Sequence, residues 1–283
     1  MLKRCITGAC LIAVMVGFFL LRTIDIRLFN IVVTLFAVIG TAEIVRALKN
    51  HIFKAKADEN GKITLCLGDK VLVTLIMATA IALIPVYTFF GIITALAVVI
   101  SGALLIFIVK LVSKQNLKSE LLSSFACILY PNLFLLAMAH VNMLEENSTF
   151  ALLMIFVGSS LADTFAYLVG STIGGKKLCP KISPNKTISG AIGGLLGGMI
   201  GGVVLYFIYK PVFAFDYAWI VMMVVGLVGA LFTEIGDLFE SAIKRYVGIK
   251  DMGKIFPGHG GVLDRIDGII FASVVMAIIF TLV

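Results

Sequence analysis

The sequence predicts an all-α polytopic membrane protein, and three observations predict it. Of its 283 residues, 60% are hydrophobic and only 14% charged, whereas a soluble domain carries about a quarter charged residues. The mean hydropathy is +1.11. The apolar residues also fall in runs of about 20, the length at which a helix crosses the hydrocarbon of a bilayer. Segments of alternating polarity, which a membrane barrel requires, do not occur.

About nine spans follow from these runs, at 5–21, 28–48, 71–89, 91–112, 121–139, 149–170, 190–209, 217–235 and 268–283. The first stands behind Met1-Leu2-Lys3-Arg4 and looks like a signal peptide. Leu20-Leu21-Arg22-Thr23 stands where a small-x-small cleavage site would be needed, so it is read as a retained span. Pro85 and Gly91 predict a tight hairpin between the third and fourth spans. With the N-terminus in the cytosol, all of the 23 lysines and arginines except Arg22, Arg27 and Lys210 fall on the inner side. That asymmetry is the orientation signal of membrane proteins. The formal net charge of +7 is thereby explained by topology and by a face turned to anionic headgroups, with no nucleic-acid partner required. The five cysteines are scattered, without CxxC or Cys/His spacing, so neither a zinc site nor a disulfide framework is supported.

Acidic residues divide the chain. In the first half most lie in loops, as Asp58, Glu59, Glu145 and Glu146 do. Later, Asp163, Glu234, Asp237, Glu240, Asp251, Asp264 and Asp267 sit inside or beside spans. A carboxylate there is costly unless it is paired or holds a cation. Residues 1–140 are therefore expected to be a transmembrane scaffold of about five spans, and 141–283 a catalytic region of about four. No internal repeat is evident.

The chemistry concentrates between Asp237 and Asp267. Asp237, Glu240, Ser241, Lys244 and Arg245 recur at helical spacing and share one face of a helix that continues out of the eighth span. The following Lys250-Asp251-Met252-Gly253-Lys254 and Pro257-Gly258-His259-Gly260-Gly261 combine cations with glycines that let backbone N–H groups approach an anion. They do not match the phosphate loop of NTPases, and no strand precedes them. Asp264-Arg265-Ile266-Asp267 opens the last span with two acids one turn apart. So many carboxylates at one boundary suit magnesium, a hard cation completed by phosphate oxygens. Upstream, Asp163, Tyr167 and Gly170 line one side of the sixth span. Gly174-Gly175-Lys176-Lys177 and Ser183-Pro184-Asn185-Lys186-Thr187 then lead into a helix start at Gly190, a composition suited to a triphosphate.

Taken together, Ser241, Lys244-Arg245, Lys250-Asp251, Gly253, Pro257, His259-Gly260-Gly261, Asp264-Arg265 and Asp267 resemble the pattern of the phosphatidate cytidylyltransferase (CDP-diacylglycerol synthase) family. The Asp163/Tyr167/Gly170 and Ser183-Pro184/Lys186-Thr187/Gly190 elements resemble it too, and Gly40-Thr41-Ala42-Glu43 is similar to its weaker N-terminal pattern.

The resemblance implies that CTP and phosphatidate give CDP-diacylglycerol and pyrophosphate with Mg²⁺, and with a second cation bridging carboxylates. It implies catalysis by Asp237, Asp264, Lys244, Arg245, Lys250, Asp251, Arg265 and His259. Substrate contacts would come from Ser183, Lys186, Thr187, Tyr167, Lys176, Gly260, Gly261 and Ser241, and metal ligation from Asp237, Asp264, Asp267, Asp251, Glu240 and Asp163. Membrane lipid as partner, a homodimer, and a bacterial inner membrane with the site facing the cytosol are further expectations, as is a cavity open sideways to lipid between spans six to nine. Two rivals keep other readings open at this point. One is the same transfer to an archaeal ether lipid phosphate. The other is a cation-coupled transporter, which would show repeats and broken helices at the membrane midplane rather than charge at one face.

Overall fold

The computed structural model describes residues 16–282 except 18, 53–55, 58–62, 65–66, 113–116, 212–216 and 257–259. Among the described residues, eight helices are long and apolar enough to cross a membrane. They match the second to ninth expected spans, while most of the first, 5–21, lies outside the described residues. The protein is an all-α polytopic membrane protein. The chain forms two compact units, residues 1–139 with 249–264, and residues 140–248 with 265–283.

In the first unit, α1 (Ile26–Ala47) is followed by the single turn α2 (Lys49–Ile52). Asp25 caps α1 by accepting the Arg27 N–H at 2.8 Å. A two-residue pairing, β1 (Lys56–Ala57) with β2 (Ile63–Thr64), leads to α3 (Leu67–Phe90). Gly91, at φ +84°, then turns the chain into α4 (Ile92–Val112), the hairpin expected from the sequence. Pro85 lies inside α3 rather than in the turn. The next span, Glu120–Met143, is built from α5 (Leu117–Leu129) and α6 (Asn132–Met143). Asn132 fastens this break to α1, donating to Thr41 Oγ1 at 2.9 Å and to the Cys127 carbonyl at 3.2 Å. The outer face of α4 exposes Ile93, Ile100, Leu104 and Ile108. In water that stripe would be an aggregation site, whereas in a bilayer it is the lipid face. Inside, Lys110 is 1% exposed and reaches the Ile52 carbonyl at 2.7 Å and Glu120 at 3.2 Å. A charge this deep is tolerated because it is paired and hydrogen-bonded.

The second unit packs α7 (Ser148–Thr172), α8 (Ile188–Tyr209) and α9 (Trp219–Tyr246) with the greater part of α10 (Leu263–Leu282). Met154–Gly158 is a π-helical stretch within α7. Between α7 and α8 stands a small antiparallel hairpin, β3 (Lys177–Cys179) with β4 (Ser183–Thr187), where the sequence suggests only a turn. The long helix α8 is the hub, and its glycines explain why. Gly193, Gly197 and Gly201 lie under Val169, Phe165 and Leu161 of α7, while Gly194, Gly198 and Gly202 lie under Glu234, Ala230 and Met222 of α9. With lipid as apolar as leucine, close backbone approach and van der Waals contact hold such helices together. Gly236 and Gly268 likewise let α9 and α10 cross, Gly268 against Thr233 and Gly236 against the Asp267 carbonyl. At 28 residues, α9 is about 42 Å long, more than the roughly 30 Å of bilayer hydrocarbon. Its polar last turns therefore project beyond it.

Candidate active site

In the second unit, the end of α9 carries the helical face read from the sequence. Asp237 Oδ2 lies 2.6 Å from the Lys186 ammonium of β4, and Ser241 points its hydroxyl to Asp237 Oδ1 at 3.4 Å. Glu240 is fully buried and pairs with Lys244 at 3.0 Å, one turn on. Arg245 is exposed and donates to the Ile182 carbonyl at 3.2 Å, tying the helix end to the hairpin. The hairpin in turn feeds α8. Thr187 is buried and caps the helix by accepting the Gly190 N–H at 3.1 Å, and the Ser189 hydroxyl donates to the Gly174 carbonyl. The glycine turn is required here because Gly174 and Gly175 have φ of +64° and +103°.

Three carboxylates surround the Lys186–Asp237 pair. Asp163 of α7 lies within electrostatic range of Asp237, Lys186 and Arg265. Glu234, one turn before Asp237, feels Lys186, Asp163 and Asp237. Asp267 of α10 feels Asp237, Lys244 and Asp163, and its Oδ1 accepts the Gly268 N–H at 2.8 Å. Asp163 is exposed although it sits on a membrane-crossing helix, which requires water or a polar ligand beside it. Glu234 Oε1 is buried without a hydrogen-bond partner. Among the described residues, no three acids, histidines or cysteines converge closely enough to ligate one ion as they stand. The donor set nonetheless fits a hard cation. It is all carboxylate oxygen, it holds an orphaned buried atom, and its four carboxyl groups, with Asp237 included, outnumber Lys186, Lys244 and Arg265 beside them.

Other expected site residues take different places. Tyr167 and Lys176 are exposed, and Ser183 is half-buried at the start of β4. In the first unit, Lys250, Asp251 and Lys254 are exposed on the loop that precedes α10. Gly260, at φ +86°, turns that loop, with the Phe256 N–H donating to the Gly260 carbonyl at 2.9 Å. His259 lies outside the described residues. Asp264, expected at a metal, directs Oδ2 to the backbone of the loop, accepting Met252 and Gly261 N–H at 2.8 Å each and Gly253 N–H at 3.4 Å.

Two acids escaped the sequence-based site. Glu234 has a local signal, an acid in an apolar span one turn from Asp237. Glu43 is marked in the sequence only by the weaker resemblance at 40–43, which names no partner, because the N–H groups it accepts from belong to Val262 and Leu263, about 220 positions away.

Comparison with known proteins bears on this arrangement. The chain is 41% identical over 109 residues to a phosphatidate cytidylyltransferase of Bacillus subtilis, covering 38% of this chain and 39% of that protein. It is 44% identical over 112 residues to the protein of that name from Staphylococcus aureus strain COL, covering 39% and 41%. Against the one from Staphylococcus saprophyticus it is 38% identical over 120 residues, covering 42% and 45%. The chain thus aligns with about two fifths of the length of these curated relatives. A model of the cytidylyltransferase family matches residues 2–283. With a match of that extent, this chain belongs to the cytidylyltransferase family.

Proposed function

We propose that this chain transfers CMP from CTP to phosphatidate, giving CDP-diacylglycerol and pyrophosphate, at the cytosolic face of a bacterial inner membrane. The observation that carries the reading is the Lys186–Asp237 pair, set among Asp163, Glu234 and Asp267 where helices cross a bilayer. Such a cluster can hold cation and phosphate at once, beside lipid and water. The relatives named as phosphatidate cytidylyltransferases supply the identity of the two substrates.

In the reaction a phosphate oxygen of the lipid forms a bond to the α-phosphorus of CTP, and the bond from that phosphorus to the β-phosphate bridging oxygen breaks. Pyrophosphate carries away the electron pair. The lipid phosphate is already an anion, so no strong base is needed. The obstacle is repulsion between two anions, and catalysis is mainly charge neutralisation and alignment. Asp237 and Asp267 are the carboxylates assigned to Mg²⁺, with Asp163 and Glu234 beside them. Bound there, Mg²⁺ would neutralise phosphate charge and favour the leaving pyrophosphate. Lys186 and Arg265 are assigned to phosphate oxygens in the same unit. Thr187 and Ser189 hold the hairpin that carries Lys186. Lys250 and Lys254 offer further cations on their loop.

The test is direct. Purified protein receives labelled CTP, phosphatidate and Mg²⁺, and lipid-linked CMP is measured. Product that depends on both substrates supports the reading, and its absence sinks it. An archaeal ether lipid phosphate in a parallel reaction decides between the lipid classes.

A further inference from the structure

Glu43 stands near the end of α1 and is 2% exposed. A buried carboxylate is costly unless its oxygens are satisfied, and both are. Oε1 accepts the Val262 N–H at 3.0 Å, and Oε2 accepts the Leu263 N–H at 2.9 Å. These N–H groups stand at the start of α10, where no preceding turn supplies carbonyls and where the helix dipole favours a negative charge. The fit leaves no slack. Gly253 and Gly261 press on the Glu43 carboxyl so closely that a methyl at either would overlap it. One turn earlier, Gly40 admits Leu263, whose Cδ2 lies 2.9 Å from the place a side chain would occupy. Asp264 holds the same loop through Oδ2 and the N–H groups of Met252, Gly253 and Gly261. Two buried carboxylates, one from each end of the sequence, therefore fasten one loop. The lack of a side chain at Gly253 and Gly261 makes room for the Glu43 carboxylate beside their backbone.

We propose that Glu43 is a positioning residue for nucleotidyl transfer. Its carboxylate fixes the backbone at Gly253 and at Gly261, and with it the starting point of α10. It thereby fixes the stations of Lys250 and Asp251, immediately before Gly253. The inference rests on the cytidylyl-transfer reading above, and deepens it by assigning a role in the reaction to a residue of the N-terminal half. In Glu43→Gln one oxygen becomes an NH₂ group facing an N–H donor, which breaks one of the two bonds with almost no change in volume.

The test measures Glu43→Gln, Glu43→Ala, Gly261→Ala and the double variant Glu43→Ala/Gly261→Ala beside the wild type, in detergent. The expected result for Glu43→Gln is a kcat lower by about 100-fold, the scale of a sub-ångström to ångström misplacement, with a thermal midpoint lowered by only a few degrees. KM for CTP should move by no more than about threefold, since no substrate contact is removed. Removing the carboxylate should make room for the methyl, so the double variant should be about tenfold more active than Gly261→Ala alone. Independent losses that multiply in the double variant would overturn the proposal, as would a kcat for Glu43→Gln near that of wild type. Amide hydrogen exchange at 261–264 gives a readout that needs no substrate. It should quicken by about tenfold in Glu43→Gln while the rest of α1 is unaffected, and unchanged exchange there would refute the clamp. Wild-type protein that forms no lipid-linked CMP, yet shows the exchange change, would sink the assigned reaction and leave the clamp standing.

Discussion

The Lys186 ammonium lies 2.6 Å from Asp237 Oδ2, joining the hairpin before α8 to the projecting end of α9. The two side chains are 26% and 33% exposed. A pair this open contributes little to stability, so its value lies in where it holds the two charges. An incoming phosphate can take the lysine while a cation takes the carboxylate, without either group being moved far.

Lys186→Met is therefore expected to lower kcat/KM for CTP by about 100-fold or more, the scale of losing a charge-assisted contact in a preorganised site. The thermal midpoint in detergent should stay within a few degrees of wild type. Lys186→Arg, which keeps the charge with a different shape, should recover part of the loss. A Lys186→Met protein of wild-type kcat/KM would remove Lys186 from the site.

Metal removal should act through Asp237. Chelation with EDTA is expected to stop product formation, and added Mg²⁺ to restore it. Asp237→Asn should lose about 1,000-fold in kcat and remain inactive at any Mg²⁺ concentration, because a neutral amide is a poor ligand for a hard cation. Activity that survives EDTA, or an Asp237→Asn variant rescued by more Mg²⁺ to the wild-type rate, would contradict the assignment.

The buried Lys110–Glu120 pair predicts a change in stability without reference to the site. Lys110→Met leaves Glu120 uncompensated and is expected to destabilise the protein by about 3 kcal/mol or more. Lys110→Met/Glu120→Leu removes both charges and should recover most of that loss. Unfolding midpoints of the two variants in one detergent measure the difference, and equal midpoints would mean that the pair is not coupled.

On α8 the prediction concerns size. Gly202→Leu places a side chain against the Met222 carbonyl of α9 and should cost about 2 kcal/mol or more through overpacking. Val204→Leu, on the exposed side of the same helix, should leave the midpoint nearly unchanged. Equal effects would show that the glycine face does not set the packing.

Much of this was legible in the sequence because the signals are local to the chain. Hydropathy runs located eight of the described spans, since crossing a bilayer depends on length and apolarity alone. Helical periodicity alone places Asp237, Glu240, Ser241 and Lys244 along one stretch of α9. The hairpin at 177–187 was less legible, because Lys177–Cys179 and Ser183–Thr187 are short, polar and without alternation. The role of Thr187 as helix cap, by contrast, agrees with the turn feeding a helix that the sequence suggests.

By itself, then, the sequence determined the membrane class, the path of the spans and the residue types gathered near Asp237 to Asp267. Only the tertiary structure decided which of those residues meet. It set Lys186 on Asp237, turned Asp264 Oδ2 to the backbone of its own loop, and brought Glu43 to residues 219 and 220 positions away. The reason is physical. Hydropathy states that a helix enters the bilayer, but lipid is as good a solvent for its apolar face as another helix is. The partner of each helix is therefore chosen by close fits such as Gly40 under Leu263 and Gly198 under Ala230, and by buried polar groups that must be satisfied. Those conditions are met between positions far apart in the chain, and only folding brings them together.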